Sequence, residues 1–212
     1  MAYDRASDLL YLVINSPTPA LFVFGDVATR TFTSGAQPKA TLGFAASAYV
    51  ANDWKIRDLE LSASGELYVL HSAYENVVVV YSKASTISKL TGPSRTFTAL
   101  GSQDMTDCFI DASDRLYIVS SRVPEILVFD NVSTLNGFAS ATRKLTVTAT
   151  ASGFNGITLD AAGTAYVTAS NANAIYAIEN VASKSGAVTP DRTVTGTATQ
   201  LAGPGKLTAV AR

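Results

Sequence analysis

The segment GTAYVTASNANAIYAIENVASKSGAVTPDRTVTGTA, residues 163–198, decides the fold because the chain repeats it. Related segments are DRLYIVSSRVPEILVFDNVSTLNGFASATRKLTVTA at 114–149 and GELYVLHSAYENVVVVYSKASTISKLTGPSRTFTAL at 65–100, and residues 8–36 form a degenerate first copy. The tyrosines that open the four copies are spaced by 57, 49 and 49 residues: Tyr11, Tyr68, Tyr117 and Tyr166. A fixed period of this length is the mark of a repeat architecture.

Each repeat contains four short segments rich in Val, Ile, Thr, Tyr and Phe, the composition that favours β-strands. The first segment reads MAYD, LELS, CFID and ITLD in repeats one to four, and the second reads LYLV, LYVL, LYIV and AYVT. The third segment reads LFVF, VVVVY, ILVF and IYAI, and the fourth reads RTFT, RTFT, KLTV and RTVT. Turn sequences such as SASGE, ASDR and AAGT separate the first segment from the second. The pattern predicts an all-β fold of the β-propeller type, built from four-stranded antiparallel blades with little helix.

The first repeat departs from the register of the others. An arginine opens the fourth segment of each repeat: Arg30, Arg95, Arg143 and Arg192. That arginine follows the third segment by 14 residues in three repeats, but Arg30 follows Phe24 by only 6. We interpret this as a loss of eight residues in the first repeat, followed by a long insertion at 34–56.

Length favours a single domain over residues 1–212, with repeats at about 4–61, 62–111, 112–160 and 161–210. KLTAVAR, at 206–212, matches the first segment of a further repeat, which gives 17 segments where four closed blades need 16. Three explanations remain open: a part of a larger propeller, a displaced terminal strand, or a homo-oligomer that completes the propeller.

Composition excludes several classes of partner. The net charge is −1 and there is no block of like charges, which argues against nucleic acid and against an anionic membrane surface. No apolar run is long enough to cross a membrane, and residues 1–13 lack the features of a signal peptide. The single cysteine, Cys108, excludes an internal disulfide and is expected to be a buried structural thiol. The Thr- and Ser-rich, Lys-poor composition favours an extracytoplasmic location.

Residues that recur in every repeat are interpreted as structural. The four arginines are expected to form ion pairs or to stack on a neighbouring ring, since a group required four times is rarely an active site. The repeated tyrosines are expected to bury their rings while each hydroxyl reaches a polar neighbour. Asp111 and Asp160 are expected to form turns, with Ser62 in the same place.

The pattern LD-x-x-G-x-x-Y-V-x-x-S followed by I-x-x-x-x-N, best preserved from Leu159 to Asn180, resembles the NHL-type and YVTN-like propeller repeats. The resemblance covers nearly the whole chain and implies the fold more strongly than an activity. Proteins of this group include binding scaffolds, cell-surface modules and a few enzymes. It also implies that the loops between strands four and one, and between strands two and three, share one face near the channel.

On that face, the insertion TLGFAASAYVANDWKIRD places the only tryptophan, Trp54, beside Asp53 and Arg57. An aromatic ring among polar groups can serve as a ligand platform. The alternative is that the insertion caps the channel and buries Trp54.

The only histidine, His71, lies at the end of a second segment, near Tyr74 in the following hairpin. In the other repeats its position holds Ile14, Ser120 and Ala169, so the fold does not require histidine there. We expect His71 to be a partly exposed strand-end residue, with ligand contact as the second interpretation.

Gln103, Asp104 and Asn155 complete the candidate ligand-binding residues. Asp104 and Asp107 could bind a cation, but carboxylates at this spacing are common in turns. No HExxH motif, no G-x-S-x-G elbow and no complete phosphate-binding loop is present.

The sequence therefore predicts a non-enzymatic binding or structural module without cofactor or metal, presenting a loop face to a protein or glycan. The alternative is a lactonase- or hydrolase-like enzyme that holds a central divalent cation with Asp104, Asp107 and Asn155.

Overall fold

The computed structural model describes residues 1–15, 19–29, 31, 35–43, 55–72, 76–88 and 91–208. They form an all-β fold of the β-propeller type, whose four small sheets are the blades of the repeat. The chain divides into two compact units, Met1–Phe97 and Thr98–Arg212, and the boundary falls within a strand. Blade 1 and the first three strands of blade 2 belong to the first unit, blades 3 and 4 belong to the second, and the last strand of blade 2 contains the boundary.

The strands follow the predicted order in blades 2, 3 and 4, and the first three strands do so in blade 1. Blade 1 comprises β1 (Ala2–Asp4), β2 (Leu9–Ile14), β3 (Ala20–Gly25) and β4 (Ala40–Gly43). Blade 2 comprises β5 (Lys55–Leu61), β6 (Leu67–Ser72), β7 (Val77–Tyr81) and β8 (Arg95–Leu100). Blade 3 comprises β9 (Met105–Ile110), β10 (Arg115–Ser120), β11 (Glu125–Asp130) and β13 (Arg143–Val147), with β12 (Gly137–Ser140) before its last strand. Blade 4 comprises β14 (Gly156–Leu159), β15 (Ala165–Ala169), β16 (Ala174–Ile178) and β18 (Arg192–Val194), with β17 (Gly186–Val188) before its last strand.

Each unit has its own core. In the first unit, Leu9, Tyr11 and Leu21 of blade 1 cluster with Leu59 and Leu67 of blade 2. In the second unit, the apolar faces of blades 3 and 4 form one cluster; its members include Tyr117, Val119, Ile126, Val128, Ile157, Leu159, Val167 and Ile178. Alternation along the strands directs these side chains to the face between neighbouring blades, where repeat proteins bury their apolar surface. Cys108 is buried as expected, 1% exposed.

The sequence does not predict β12 or β17, which lie in the connection between the third and fourth strands of blades 3 and 4. In the second unit, β17 of blade 4 pairs in parallel with β13 of blade 3, with Leu145 opposite Gly186 and Val147 opposite Val188. Blade 4 therefore lends a strand to the outer edge of blade 3.

The interpretation of the first repeat is wrong. Both edges of β3 are occupied, by β2 and by β4, so the strand beside β3 is Ala40–Gly43 and not the predicted RTFT segment. The backbone N–H of Lys39 donates to the carbonyl of Val23 (2.7 Å), a bond repeated by Ser94 to Val80, Thr142 to Val128 and Asp191 to Ala177. The first repeat is thus two residues longer between these positions, 16 against 14. Arg30 lies outside the described residues.

The hydrogen bonds and ion pairs predicted for the repeated residues are confirmed in blades 2, 3 and 4. In blade 1 the prediction is wrong for Tyr11, whose ring is buried but whose hydroxyl has no hydrogen-bond partner among the described residues. Tyrosine hydroxyls donate to a carboxylate of the same blade: Tyr68 to Glu66, Tyr117 to Asp111 and Tyr166 to Asp160. The arginines form ion pairs: Arg95 with Glu66, Arg143 with Asp130 and Arg192 with Glu179. Arg95 also lies 5.6 Å from the ring centroid of Tyr68. Asp111, Asp160 and Ser62 accept backbone N–H groups in their turns.

Helix is rare, as predicted. The described residues contain five single 3-10 turns, at Ala84–Thr86, Val132–Thr134, Ser170–Ala172, Val181–Ser183 and Thr197–Thr199. Within the described ranges, therefore, no helix has the length and apolar character needed to cross a bilayer. The seventeenth predicted segment is not a strand over residues 206–208, and its last four residues lie outside the described part of the chain.

Candidate functional site

Each blade has two ends with different chemistry. At one end of a blade the first strand begins and the second strand ends, and we call this the loop end. At the opposite end a turn joins the first strand to the second, and we call this the hairpin end. In blade 3, Gln103, Asp104 and Arg122 lie at the loop end, whereas Asp111 lies at the hairpin end. The first strand has six residues, so the two ends are about 20 Å apart.

A β-bulge marks the loop end of the first strand in blades 2 and 3. In blade 2, Ile56 pairs with His71 and Asp58 pairs with Leu70, which leaves Arg57 as the extra residue. In blade 3, Asp107 pairs with Val119 and Met105 pairs with Ser120, which leaves Thr106 extra. Bulges redirect a side chain and are frequent beside functional sites. Arg57, one of the predicted candidates, is exposed at this bulge.

Asn155 occupies the same repeat position in blade 4, 49 residues after Thr106. Its backbone N–H donates to the carbonyl of Thr168 (2.9 Å), and its side-chain oxygen accepts both the hydroxyl and the backbone N–H of Ser170. The hydroxyl oxygen of Ser170 also lies 2.9 Å from the carbonyl oxygen of Pro204. Asn155 therefore fixes the turn after β15 at the loop end of blade 4.

Gln103 and Asp104 form the approach to β9. The backbone carbonyl of Gln103 accepts the hydroxyl of Ser120, and Asp104 adopts a left-handed conformation with φ of 45°. The Asp104 carboxylate pairs with the guanidinium of Arg122, and their side chains are 42% and 66% exposed. This exposed ion pair is a charged feature of the loop end that a partner can reach.

The three oxygen ligands of the enzymatic alternative are each held by protein groups. Asp104 pairs with Arg122, and Asn155 holds Ser170. The Asp107 carboxylate is 5% exposed, accepts the backbone N–H of Ile157 (2.8 Å) and pairs with the ammonium of Lys206 (2.6 Å). Among the residues that the structure describes, no group of three His, Cys, Asp or Glu side chains is placed to hold a metal ion.

His71 differs from the expected partly exposed residue, since it is 1% exposed in β6, opposite Ile56 and Val77. Burial lowers the pKa of the imidazole to about 4, so His71 is neutral at physiological pH. Three predicted candidates, Asp53, Trp54 and Tyr74, lie outside the described residues.

At the hairpin end of the second unit, a cavity of about 530 Å³ separates the first hairpins of blades 3 and 4. Its walls include Phe109, Asp111, Arg115, Asp160 and Asn180. Asp111 accepts the Tyr117 hydroxyl and pairs with Arg115 (2.9 Å). Backbone donation from Thr164 lowers the pKa of Asp160, which also accepts the Tyr166 hydroxyl. Both carboxylates accept backbone N–H groups of their own turns, as the sequence predicts.

Several residues of the loop end are not predicted from the sequence. The side chain of Asn15 donates to the carbonyl of Ile56 (2.9 Å) and accepts its N–H (2.8 Å), joining the loop ends of blades 1 and 2. Gly153 allows a close backbone approach, because a Cβ there would lie 2.2 Å from the carbonyl carbon of Ser121. The one sequence signal for this turn is that the position of Asn15 holds a small polar residue in the other repeats, namely Ser72, Ser121 and Ser170.

Comparison with known proteins yields a distant structural likeness. No protein-family model matches the chain, and no match is found among curated proteins. The solved structure of Hsv2 from Kluyveromyces lactis is similar to this chain with a TM-score of 0.47 and 14% identity. The alignment covers 84% of this chain and 47% of that protein, so this chain spans about half the length of the structure it matches.

Proposed function

We propose that the protein is a non-enzymatic binding module that presents the loop ends of its blades to a protein or glycan partner. The observation that carries the proposal is the repeat position occupied by Arg57, Thr106 and Asn155. This position has a bulge in blades 2 and 3, yet its side chain differs among blades 2, 3 and 4. The hairpin turns, by contrast, retain the Tyr–carboxylate hydrogen bond in blades 2, 3 and 4. A recurring framework with a changing side chain is typical of a recognition surface built on a rigid scaffold.

Charge at this end supports a polar partner. Arg57 is exposed in the first unit, and the Asp104–Arg122 pair is exposed in the second. Exposed ion pairs contribute little to stability, so their replacement leaves the fold intact and isolates an effect on binding. We include Gln103, Asn155, Asp53, Trp54 and Tyr74 in the proposed surface, and His71 as a buried residue beneath it.

The test compares loop-end variants with variants of equal charge change at the hairpin end. In the first unit, Arg57→Glu is matched by Arg5→Glu, an exposed arginine in the turn between β1 and β2. In the second unit, Arg122→Glu is matched by Arg192→Glu, whose side chain is 59% exposed against 66%. Immobilised chains are presented to a glycan array and to a protein extract, and the affinity of each retained partner is measured.

The proposal expects a saturable partner whose affinity falls for Arg57→Glu or Arg122→Glu and is unchanged in both controls. Trp54→Ala tests the aromatic platform in the same assay. Equal binding by all these variants would contradict the loop-end proposal. A divalent cation bound at one per chain and lost in Asp107→Asn would instead support the enzymatic alternative.

We also propose that residues 1–212 form one domain, as the length of the chain suggests. Calorimetry of the intact chain is expected to give one cooperative transition. Two separate transitions, matching the compact units Met1–Phe97 and Thr98–Arg212, would contradict this proposal.

A further inference from the structure

The outer strands of blades 3 and 4 have different neighbours. β13 and β18 start at the same repeat position, 49 residues apart. The outer edge of β13 is covered by β17, which runs parallel to it. β18 is the last strand of its sheet, and in the described ranges no strand pairs with its outer edge.

The missing cover changes the exposure of the side chains. Leu145 of β13 is fully buried, at 0% exposed, whereas Val194 at the same repeat position in β18 is 49% exposed. Leu145 and Val147 share an apolar cluster with Val181 and Val188, which belong to the covering segment. All three residues of β18 are exposed. Val194 is therefore an apolar side chain at a position that blade 3 buries.

The covering segment itself shows what fits such an edge. Val181 is fully buried, Gly186 turns the chain with φ of 73°, and Val188 is 8% exposed against β13. Its carbonyl accepts the backbone N–H of Thr148 (2.9 Å). The connection within blade 3 has the same form: buried Val132, then five residues later Gly137 with φ of 70°, then buried Ala139. The recurrent chemistry is an apolar anchor, a glycine, and a short strand with a small apolar residue.

The backbone of blade 4 also departs where the cover is missing. β13 continues to Val147, but β18 ends at Val194, two residues earlier in the repeat. Gly196 then takes a φ of 98°, and a 3-10 turn begins at Thr197. The segment that a parallel neighbour would hold extended is therefore curled in blade 4.

Open strand edges are templates for pairing, and proteins usually protect them with charge, proline or a bulge. The charge of Arg192 is paired with Glu179, and the following residues Thr193, Val194 and Thr195 are uncharged β-formers. We propose that the outer edge of β18 is a strand-acceptor site. Its occupant is an extended segment of a partner protein that has the Gly-small-Val chemistry of β17 and runs parallel to β18. This site is separate from the loop end.

The test uses the full chain, labelled with ¹⁵N, and a synthetic peptide with the sequence of residues 181–190, VASKSGAVTP. The peptide is expected to shift the amide resonances of residues 193–197, whereas a scrambled peptide does not. Val194→Lys places a charge on the edge and is expected to weaken peptide binding about tenfold or more. Leu100→Lys, at a residue that is 43% exposed, is the matched control and is expected to bind like the wild type.

Three results would overturn the proposal. Shifts confined to 145–147 would mean that the peptide only replaces β17 on blade 3. Loss of binding in both lysine variants, or none in either, would separate the binding from the edge of β18. Shifts at 193–197 that grow with protein concentration alone, together with a doubled mass, would identify a second copy of the chain as the occupant.

Discussion

Blades 3 and 4 carry the same repeat but bury it to different extents. The Tyr–Asp contacts at their hairpin ends match, at 2.9 Å for Tyr117 to Asp111 and 3.0 Å for Tyr166 to Asp160. Their outer strands differ, because β17 covers β13 and no described strand covers β18. Local sequence therefore determines the turn and the strand, whereas the burial of the strand depends on which segment lies alongside it.

The largest effect on stability is expected at the repeat position whose exposure differs between the two blades, Leu145 in blade 3 and Val194 in blade 4. Leu145→Ala is expected to lower the free energy of unfolding by about 3 kcal/mol, because it leaves a cavity beneath β17. Val194→Ala, at the equivalent exposed position, is expected to change it by less than about 0.5 kcal/mol. Urea denaturation of both variants measures the difference. Similar losses would mean that the edge of blade 4 is covered in solution.

Much of this fold is predictable from the sequence because each strand carries its own signal. VVVVY, ILVF and IYAI are apolar and β-branched or aromatic, and they become β7, β11 and β16. β12 and β17 escape prediction because they have four and three residues and begin with glycine. These segments become strands because they pair with neighbouring strands, so their own sequence does not predict them.

The first repeat shows how a local pattern can mislead. RTFT at 30–33 is identical to RTFT at 95–98, which lies in β8, yet the strand beside β3 is Ala40–Gly43. Identity over four residues does not determine which segment pairs, because the ladder and its turn geometry choose the register. The insertion that follows is correspondingly shorter than the predicted 34–56.

The candidate site is predictable in position but not in contacts. The loops that contain Gln103, Asp104 and Asn155 follow from the order of the segments. The bulge at Arg57 and the pairing of Asp104 with Arg122 depend on strand register and on neighbouring loops. The burial of His71 likewise depends on packing, because the position also accepts Ser120 and Ala169, which are buried too.

The buried imidazole of His71 leads to a second prediction, which concerns how the free energy of unfolding depends on pH. The pKa of His71 falls from 6.5 to about 4 in the folded protein, so the unfolded state binds a proton first as the pH drops. His71 therefore costs no stability above about pH 6.5, and its effect grows as the pH falls towards 4. The loss at low pH is expected to reach about 3 kcal/mol.

His71→Leu removes this titration while retaining an apolar side chain of similar size. Unfolding free energies of wild type and variant are measured between pH 7 and pH 4. Their difference is expected to be constant above about pH 6.5 and to move in favour of the variant below it. Parallel curves over the whole range would show that His71 is solvated or protonated in the folded state.

A third comparison concerns backbone approach at the two loop ends of the second unit. Gly153→Ala is expected to cost about 2 kcal/mol, because its Cβ would overlap the backbone of Ser120 and Ser121. Gly205→Ala is expected to be neutral, since no atom lies within 4 Å of the added Cβ. Thermal unfolding distinguishes them. Equal effects would show that the turn of blade 3 relaxes away from Gly153.

The smallest expected effect separates the arginines that open the outer strands. Arg143 donates two hydrogen bonds to Asp130, at 2.6 and 2.8 Å, and these side chains are 25% and 30% exposed. Arg192 lies 3.4 Å from Glu179, and that pair is 59% and 48% exposed. Arg143→Ala is therefore expected to cost about 1 kcal/mol and Arg192→Ala close to nothing. High salt should shrink the first effect only partly, because less water screens the pair in blade 3. If both variants lost the same stability, the blade 4 pair would be held as firmly as its counterpart, and its outer edge would be more ordered than that of an unpaired strand.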